Sequence, residues 1–412
     1  MPKCIARTVG INVDMKNEIQ KYLLKDIAAI IAGQSPESKY YNTNGEGIPF
    51  FQGKADFGAL YPNIRTYCSQ PIRIAEKDDI LLSVRAPVGP TNLSPGKVCI
   101  GRGLTAIRPG SSIRLKYLLY FFRYYEAQLQ KSGTGTTFKA ITQNVIKNIE
   151  VPVPSLDEQE RIVSKIEELF SKLDASVAEL KTAKEKLKVY RQAVLKEAFD
   201  KASSSNSKEM TIDSLLTKTR KGMSTGPFGT MLKKFEHQRA GVPVLGIENI
   251  GEGKFVPGNK IFVTPEKATE LQAFRVHTGD IIISRSGTVG ELCIVPPYME
   301  NSLLSTNLMR ISLDFEIVLP TYFVYLFRSK GVVVDQVKEL CKGSTRMFLN
   351  QTILKQIRFP IPSIPAQQKL VNMVESRLSI CDNIEQTIDT SLQQAEAMRQ
   401  SILKQAFEGR LL

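Results

Sequence analysis

A repetition constrains this chain before anything else does. Val151-Pro-Val-Pro-Ser155 returns as Phe359-Pro-Ile-Pro-Ser363, and Val194-Leu-Lys-Glu-Ala-Phe199 returns as Ile402-Leu-Lys-Gln-Ala-Phe407, both at an offset of 208 residues. Gln159 and Gln367 keep the same offset. One unit is therefore built twice. In each copy the Pro-x-Pro segment opens a heptad-patterned stretch of ~45 residues, because proline breaks the preceding structure and the serine after it can cap a helix. Ser155 with Glu158 reads as a capping box; Ser363 has Ala366 at the glutamate position, so the second cap is expected to be weaker.

A register with Ile166, Leu173, Leu180, Leu187 and Val194 at a puts Ile162, Leu169, Ser176, Ala183 and Tyr190 at d. Carried forward by 208 residues, it puts Val374, Cys381, Ile388, Ala395 and Ile402 at a, with Leu370, Arg377, Ile384, Ser391 and Met398 at d. The expected seam is Ile162, Ile166, Leu169, Leu173, Leu180, Leu187 and Val194 on the first helix and Leu370, Val374, Cys381, Ile384, Ile388 and Ile402 on the second, and Arg377 interrupts it. Neither helix can bury its stripe alone, so the two are expected to pack on each other. A coiled coil that dimerises with a second chain is the alternative. At ~1.5 Å per residue each helix makes a rod of roughly 65 Å, which suits a ruler better than a core helix.

The segments before the helices repeat as well. Asp79-Ile-Leu-Leu-Ser83 matches Asp280-Ile-Ile-Ile-Ser284 at an offset of 201, and each run ends in a loop closed by a glycine, Gly89 or Gly290. Both segments then place an aromatic helix (Leu115-Lys-Tyr-Leu-Leu-Tyr-Phe-Phe122; Leu319-Pro-Thr-Tyr-Phe-Val-Tyr-Leu-Phe327) before a Gly-Thr or Gly-Ser turn at 133–138 and 343–348. Short apolar runs punctuated by turn residues read as strands. The predicted fold class is α+β: two pseudo-symmetric globular domains separated by an antiparallel pair of long coiled-coil helices. The expected boundaries are a first domain at 1–154, a helix at 155–200, a flexible linker and second domain at 201–362, and a second helix at 363–412.

Charge follows the same division. The first domain holds 20 Lys and Arg against 11 Asp and Glu, and the second 21 against 14, whereas each helical stretch carries −1. All the excess of the +14 net charge therefore sits on the two domains. Two basic bodies on a neutral spacer suggest a polyanion gripped at two places, and duplex nucleic acid is the commonest such partner. A merely soluble basic surface is the plainer reading. The six cysteines are scattered without a close pair, so neither a zinc knuckle nor a disulfide framework is indicated, and a reducing, cytoplasmic setting fits. No apolar run approaches the ~18 residues of a membrane span, and the first residues lack a signal-peptide core.

Catalytic constellations are missing. Pro296-Pro297-Tyr298 resembles the end of the Asn/Asp-Pro-Pro-Tyr motif of amino-methyltransferases, but Val295 stands where the amide or carboxylate would hold the amine, so a turn is expected. Gly133-Thr-Gly-Thr-Thr-Phe138 lacks the lysine and spacing of a phosphate loop. His237 and His277 are too far apart in sequence to share a helix face, so metal or histidine catalysis has little support.

Module, long helix, module, long helix, with Pro-x-Pro before each helix and Leu-Lys-x-Ala-Phe at its end, resembles the specificity subunits of type I restriction-modification enzymes. Ala406-Phe-Glu-Gly-Arg-Leu-Leu412 and the Asp-Ile-(Ile/Leu)-(Ile/Leu)-Ser strands are also similar to theirs. The resemblance spans about residues 22 to 412. It implies a non-catalytic subunit with two target recognition domains, each reading one half of a split, asymmetric site in double-stranded DNA. It also implies that the helices set the gap and dock two modification (methyltransferase) subunits, which bring S-adenosylmethionine, while restriction subunits join outside. No cofactor or metal is then expected on this chain.

Candidate DNA contacts are Lys39, Lys54, Arg65, Arg73, Arg85 and Arg102 in the first domain, and Lys218, Arg220, Lys221, Lys233, Lys234, Arg239 and Arg285 in the second. Arg85 and Arg285, which follow matching strands, are the two whose expected alternative is support of the loop. Tyr40, Tyr41 and Phe57 could reach bases, with packing as the plainer role. Between the shared landmarks the domains diverge, which points to two different half-sites. The rivals are a chain that itself methylates or cuts DNA, and a coiled-coil scaffold for another polyanion such as RNA.

Overall fold

The computed structural model describes residues 19–133, 140–204, 207–228, 230–341 and 348–412, without the side chains of 201–204. The expected glycine turns at 133–138 and 343–348 lie outside the described residues, apart from Gly133 and Phe348. The chain forms two compact units, Met1–Leu180 with Thr390–Leu412, and Lys181–Asp389. No helix among the described residues is long and apolar enough to cross a membrane.

In the first unit the apolar run Ile80–Ser83 is a strand buried on both faces, as its unbroken hydrophobicity requires. It lies in a four-stranded antiparallel sheet in the order Ala28–Ala32, Leu104–Pro109, Ile80–Ser83, Thr91–Leu93. Beside it Ile48–Phe51 pairs in parallel with Val98–Ile100. The aromatic helix Leu115–Ser132 covers the sheet and buries Tyr117, Phe121 and Phe122. A short ribbon, Lys21–Leu23 with Glu150–Pro152, leads into the long helix.

The second unit repeats this plan. Its four-stranded sheet runs Met223–Thr225, Leu308–Ile311, Ile281–Ser284, Leu292–Ile294, and Val242–Leu245 pairs in parallel with Leu303–Leu304. The ribbon is Lys208–Thr211 with Arg358–Ile361, and the aromatic helix is Pro320–Phe327. Tyr117 donates its hydroxyl to the Pro152 carbonyl at 2.9 Å, and Tyr322 donates to Pro360 at 2.8 Å. The duplication therefore extends to single hydrogen bonds.

The long helices are Leu156–Ser204, of 49 residues, and Ile364–Phe407, of 44. The Ser155 hydroxyl accepts the Glu158 amide at 3.3 Å and so caps the first. In the first unit the end of the second helix lies on the start of the first: Phe407 packs edge-on to Tyr117 at 5.2 Å, and Arg399 pairs with Asp174. In the second unit the end of the first helix takes that place: Phe199 meets Tyr322 at 5.3 Å, and Lys184, Arg191 and Glu197 pair with Asp389, Asp382 and Arg377 at 2.6, 2.6 and 2.9 Å. Within each unit the helices therefore run antiparallel. Each Leu-Lys-x-Ala-Phe ending is the plug of a core, which accounts for its repetition.

One expectation about the seam is corrected. The a positions are covered, with Ile166, Leu187, Val194, Val374, Cys381, Ile388 and Ile402 buried and Leu173 and Leu180 partly so. The d positions hold only near the modules, where Ile162 is buried and Leu169 and Leu370 are half-buried. Between them Tyr190, Ile384 and Met398 face solvent, Ile384 at 45% exposure. The seam runs instead through the residues four after each a, which include Phe170, Lys184, Arg191, Glu385 and Arg399. Charge selects this phase: Arg191 reaches both Asp382 and Glu385, at 2.6 and 2.9 Å, with its side chain only 17% exposed. Turning Ile384 inward would strand those groups, a larger loss than one exposed isoleucine. Arg377, which interrupts the heptad, is used in the pair with Glu197.

Candidate nucleic-acid interface

In each module a buried aspartate holds the turn into the central strand. Asp79 accepts the Glu76 amide at 2.8 Å and a two-pronged pair from Arg108 at 2.8 Å. Asp280 accepts the His277 amide at 2.8 Å and Arg220 at 2.6 Å. Both carboxylates are about fully buried, and a buried charge is tolerated when it is paired and hydrogen-bonded. Arg220 thus leaves the set of free candidates, because its charge neutralises Asp280.

The loop after that strand is built alike in both modules. The Ser83 hydroxyl donates to the Arg85 and Pro87 carbonyls and that of Ser284 to Ser286, while Gly89 and Gly290 return their amides to Ser83 and Ser284. Both glycines have positive φ, 109° and 87°, where a side chain is strained. The backbone bonds also fix equivalence. Val84 donates to Gly103 and accepts from Ile141, as Arg285 donates to Asn307 and accepts from Leu349. Arg285 therefore corresponds to Val84, and Arg85 to Ser286. Arg285 is half-buried, with its guanidinium 4.6 Å over the Phe348 ring and donating to the Leu349 and Thr306 carbonyls at 3.4 and 3.3 Å. Burial holds its pKa below the usual arginine value. It supports the loop.

Arg85 does the opposite. It is exposed on a cleft of about 480 Å³ that it shares with Lys54 and Arg102, between the loops at 52–55, 83–87 and 102–103 and Ser35. Ser35 accepts the Arg102 amide at 3.2 Å and so ties two of the walls together. Among the described residues none of the three cations makes an ion pair, which distinguishes them from Lys39, paired with Glu37 at 2.6 Å and lying 4.9 Å over the Tyr40 ring. Three unpaired cations facing one open cleft can hold an anion or the acceptor edge of a guanine. The sequence named all three, but nothing in its spacing showed that they converge.

The remaining candidates are exposed on loops. Arg65 precedes Tyr67–Cys68, and Arg73 precedes Ile74–Ala75. Lys218 and Lys221 flank Arg220, Lys233 and Arg239 lie on the connection before Val242–Leu245, and Lys234 opens the 3-10 turn Lys234–Glu236 within it. Tyr41 packs on Phe50 at 4.6 Å and donates to the Pro36 carbonyl at 2.6 Å, the packing role expected for it. Pro297–Met299 is a 3-10 turn with Tyr298 exposed against Phe255. Phe228, at 71% exposure, and Phe235, at 78%, were missed. Only a loop location, hidden in an apolar residue type, would have flagged them.

A family model described as the type I restriction modification DNA specificity domain matches the chain twice, at residues 16–186 and 224–394. The chain is 44% identical over 138 residues to the type I restriction enzyme MjaX specificity subunit of Methanocaldococcus jannaschii, a match that spans 33% of this chain and 32% of that protein. It is 22% identical over 415 residues to the EcoBI specificity subunit of Escherichia coli, covering 94% of this chain and 85% of the relative. A solved structure reported for complex assembly and conformational transition of the type I R-M system shares 46% identity over 40% of each chain, with a TM-score of 0.36.

Proposed function

The chain belongs to the type I restriction-modification DNA specificity family, and from that premise we infer that it is the non-catalytic subunit that reads a bipartite, asymmetric site in double-stranded DNA. Each module takes one half-site, and the paired helices set the gap and dock two modification subunits. The methyl donor, S-adenosylmethionine, belongs to those subunits, and restriction subunits join the assembly outside them. The observation that carries the reading is the cleft of Lys54, Arg85 and Arg102, three cations that make no ion pair among the described residues, on a folded scaffold. Phosphate contacts from such groups give affinity that falls with salt, and a few base-edge contacts give the sequence. Half-sites read on one face of B-DNA lie roughly 34–36 Å or a multiple of it apart, a span that rods of this length can bridge.

The test is selection of bound and methylated duplexes by the chain reconstituted with its modification subunits. Two fixed half-sites around a gap of constant length are expected. A continuous site, or tighter binding of RNA than of duplex DNA, would overturn the reading. The purified chain alone, given labelled S-adenosylmethionine and DNA, is expected to transfer nothing.

A further inference from the structure

The cleft of the first module has a structural counterpart in the second, and the two differ in a way that assigns their role. Gly33 donates to Leu104 as Gly226 donates to Leu308, both at 2.9 Å, and Gly101 donates to Phe51 as Ser305 donates to Leu245. A Cβ on Gly33 would run into the Gly101 carbonyl oxygen, and one on Gly226 into that of Ser305. Two residues beyond these glycines stand Ser35 and Phe228. After Phe51 and Leu245 come Gln52-Gly53-Lys54 and Gly246-Ile247-Glu248. Arg85 corresponds to Ser286, and Arg102 to Thr306.

The backbone that walls the cleft is thus kept in both modules while the side chains at these positions are exchanged. Three cations in the first are replaced by Glu248, Ser286 and Thr306 in the second, and the exposed Phe228 and Ile247 take the positions of Ser35 and Gly53 on its walls. Ile247 reaches the loop at Gly287, the counterpart of Ala86, with 3.8 Å to a Cβ placed there. Phosphates are the same in every half-site, so a phosphate clamp gains nothing from such a change, and a carboxylate in place of Lys54 would oppose it. Bases differ between half-sites. A pocket whose frame is kept and whose side chains are exchanged has the properties of a base reader.

We propose that this cleft is where each module meets a base pair, that Arg85 and Arg102 select a G·C pair in the first half-site, and that Phe228 and Ile247 select an A·T pair in the second by contact with the thymine methyl group. The guanidinium fork matches guanine O6 and N7, and apolar side chains match the methyl group that only thymine presents in the major groove. The proposal rests on the DNA-reading function above.

The experiment is selection of bound duplexes by the full chain with its modification subunits, for the parent and for Arg85→Ala, Arg102→Ala, Phe228→Ser and Ile247→Ser. These side chains are exposed, and unchanged thermal melting checks that each variant folds. The arginine variants are expected to lose about a five- to 150-fold preference for G·C at one position of one half-site, with every other position kept. The Phe228 and Ile247 variants are expected to relax one A·T position in the other half-site. Variants that keep all preferences, or that weaken every sequence alike, overturn the proposal and leave the DNA-reading function standing. A parent that enriches no sequence would overturn both.

Discussion

Gln159 and Gln367 stand 208 residues apart, are both fully buried and make the same three hydrogen bonds. Gln159 accepts the Arg114 amide at 2.8 Å and donates to the Ser112 and Pro154 carbonyls at 3.0 and 2.9 Å. Gln367 accepts the Leu319 amide and donates to Ile317 and Pro362, each at 2.9 Å. One side chain thus ties the start of a long helix to the entry of the aromatic helix and to the Pro-x-Pro segment. Gln159→Leu and Gln367→Leu keep the volume and take the buried partner from three backbone groups. Each is expected to lower stability by at least about 2 kcal/mol, since an unsatisfied buried group costs about 1–3. Urea unfolding checks this, and a loss under about 0.5 would mean that water replaces the glutamine.

The ion pairs between the helices give a second prediction. Arg191→Ala leaves Glu385 without its 2.9 Å partner in a half-covered seam. It is expected to cost about 1–3 kcal/mol, and a double-mutant cycle with Asp382→Ala should give a coupling of about 0.5–3. Tyr190→Ala and Ile384→Ala, which a purely apolar heptad register would make core mutations, should each cost under about 0.5.

Acid tests the turn before Asp280. Glu300 accepts the Thr278 amide at 2.5 Å and lies 2.7 Å from His277 Nδ1, and these contacts pull its pKa from 4.5 to about 2. The folded value is depressed, so the stabilisation is present above the ordinary carboxylate value and disappears as pH falls from there toward about 2. Glu300→Gln should therefore be less stable than the parent at neutral pH and converge with it in acid. Denaturation midpoints at neutral and acid pH measure the difference.

Thiol reactivity offers a fourth check. Burial pushes Cys99 to about 11 and Cys293 to about 12, so little reactive thiolate exists at neutral pH. Iodoacetamide should leave both unmodified in the native chain and alkylate both in denaturant, as read by peptide mass. Rapid native labelling of Cys293 would contradict its place in the core.

The sequence disclosed what repeats and hid what converges. Pro-x-Pro segments, Leu-Lys-x-Ala-Phe endings and the Asp-Ile-x-x-Ser strands marked out the duplicated architecture, because each signals a backbone transition or a core plug with little freedom of residue type. Heptad counting misses the seam phase because it weighs apolar residues only. Lys184 and Arg191 are charged, yet their carboxylate partners on the other helix draw them inward and leave Ile384 in water. Arg85 and Arg285 looked like counterparts by position after a strand; hydrogen-bond register separated them by one residue, into a cleft cation and a loop support. Arg220 looked free until the fold supplied Asp280.

Matched lengthening of the two helices tests the account most directly. The numbers of the paired residues 184 with 389 and 191 with 382 each sum to 573, so seven residues inserted after Leu180 and seven after Leu392 preserve register and heptad phase. At ~1.5 Å per residue the spacer grows by about 10.5 Å, close to three base pairs at ~3.4 Å each. The sites selected by the lengthened chain should keep both half-site sequences and gain about three base pairs between them. An unchanged gap, or altered half-sites, would contradict a chain that reads two sequences at a distance set by its helices.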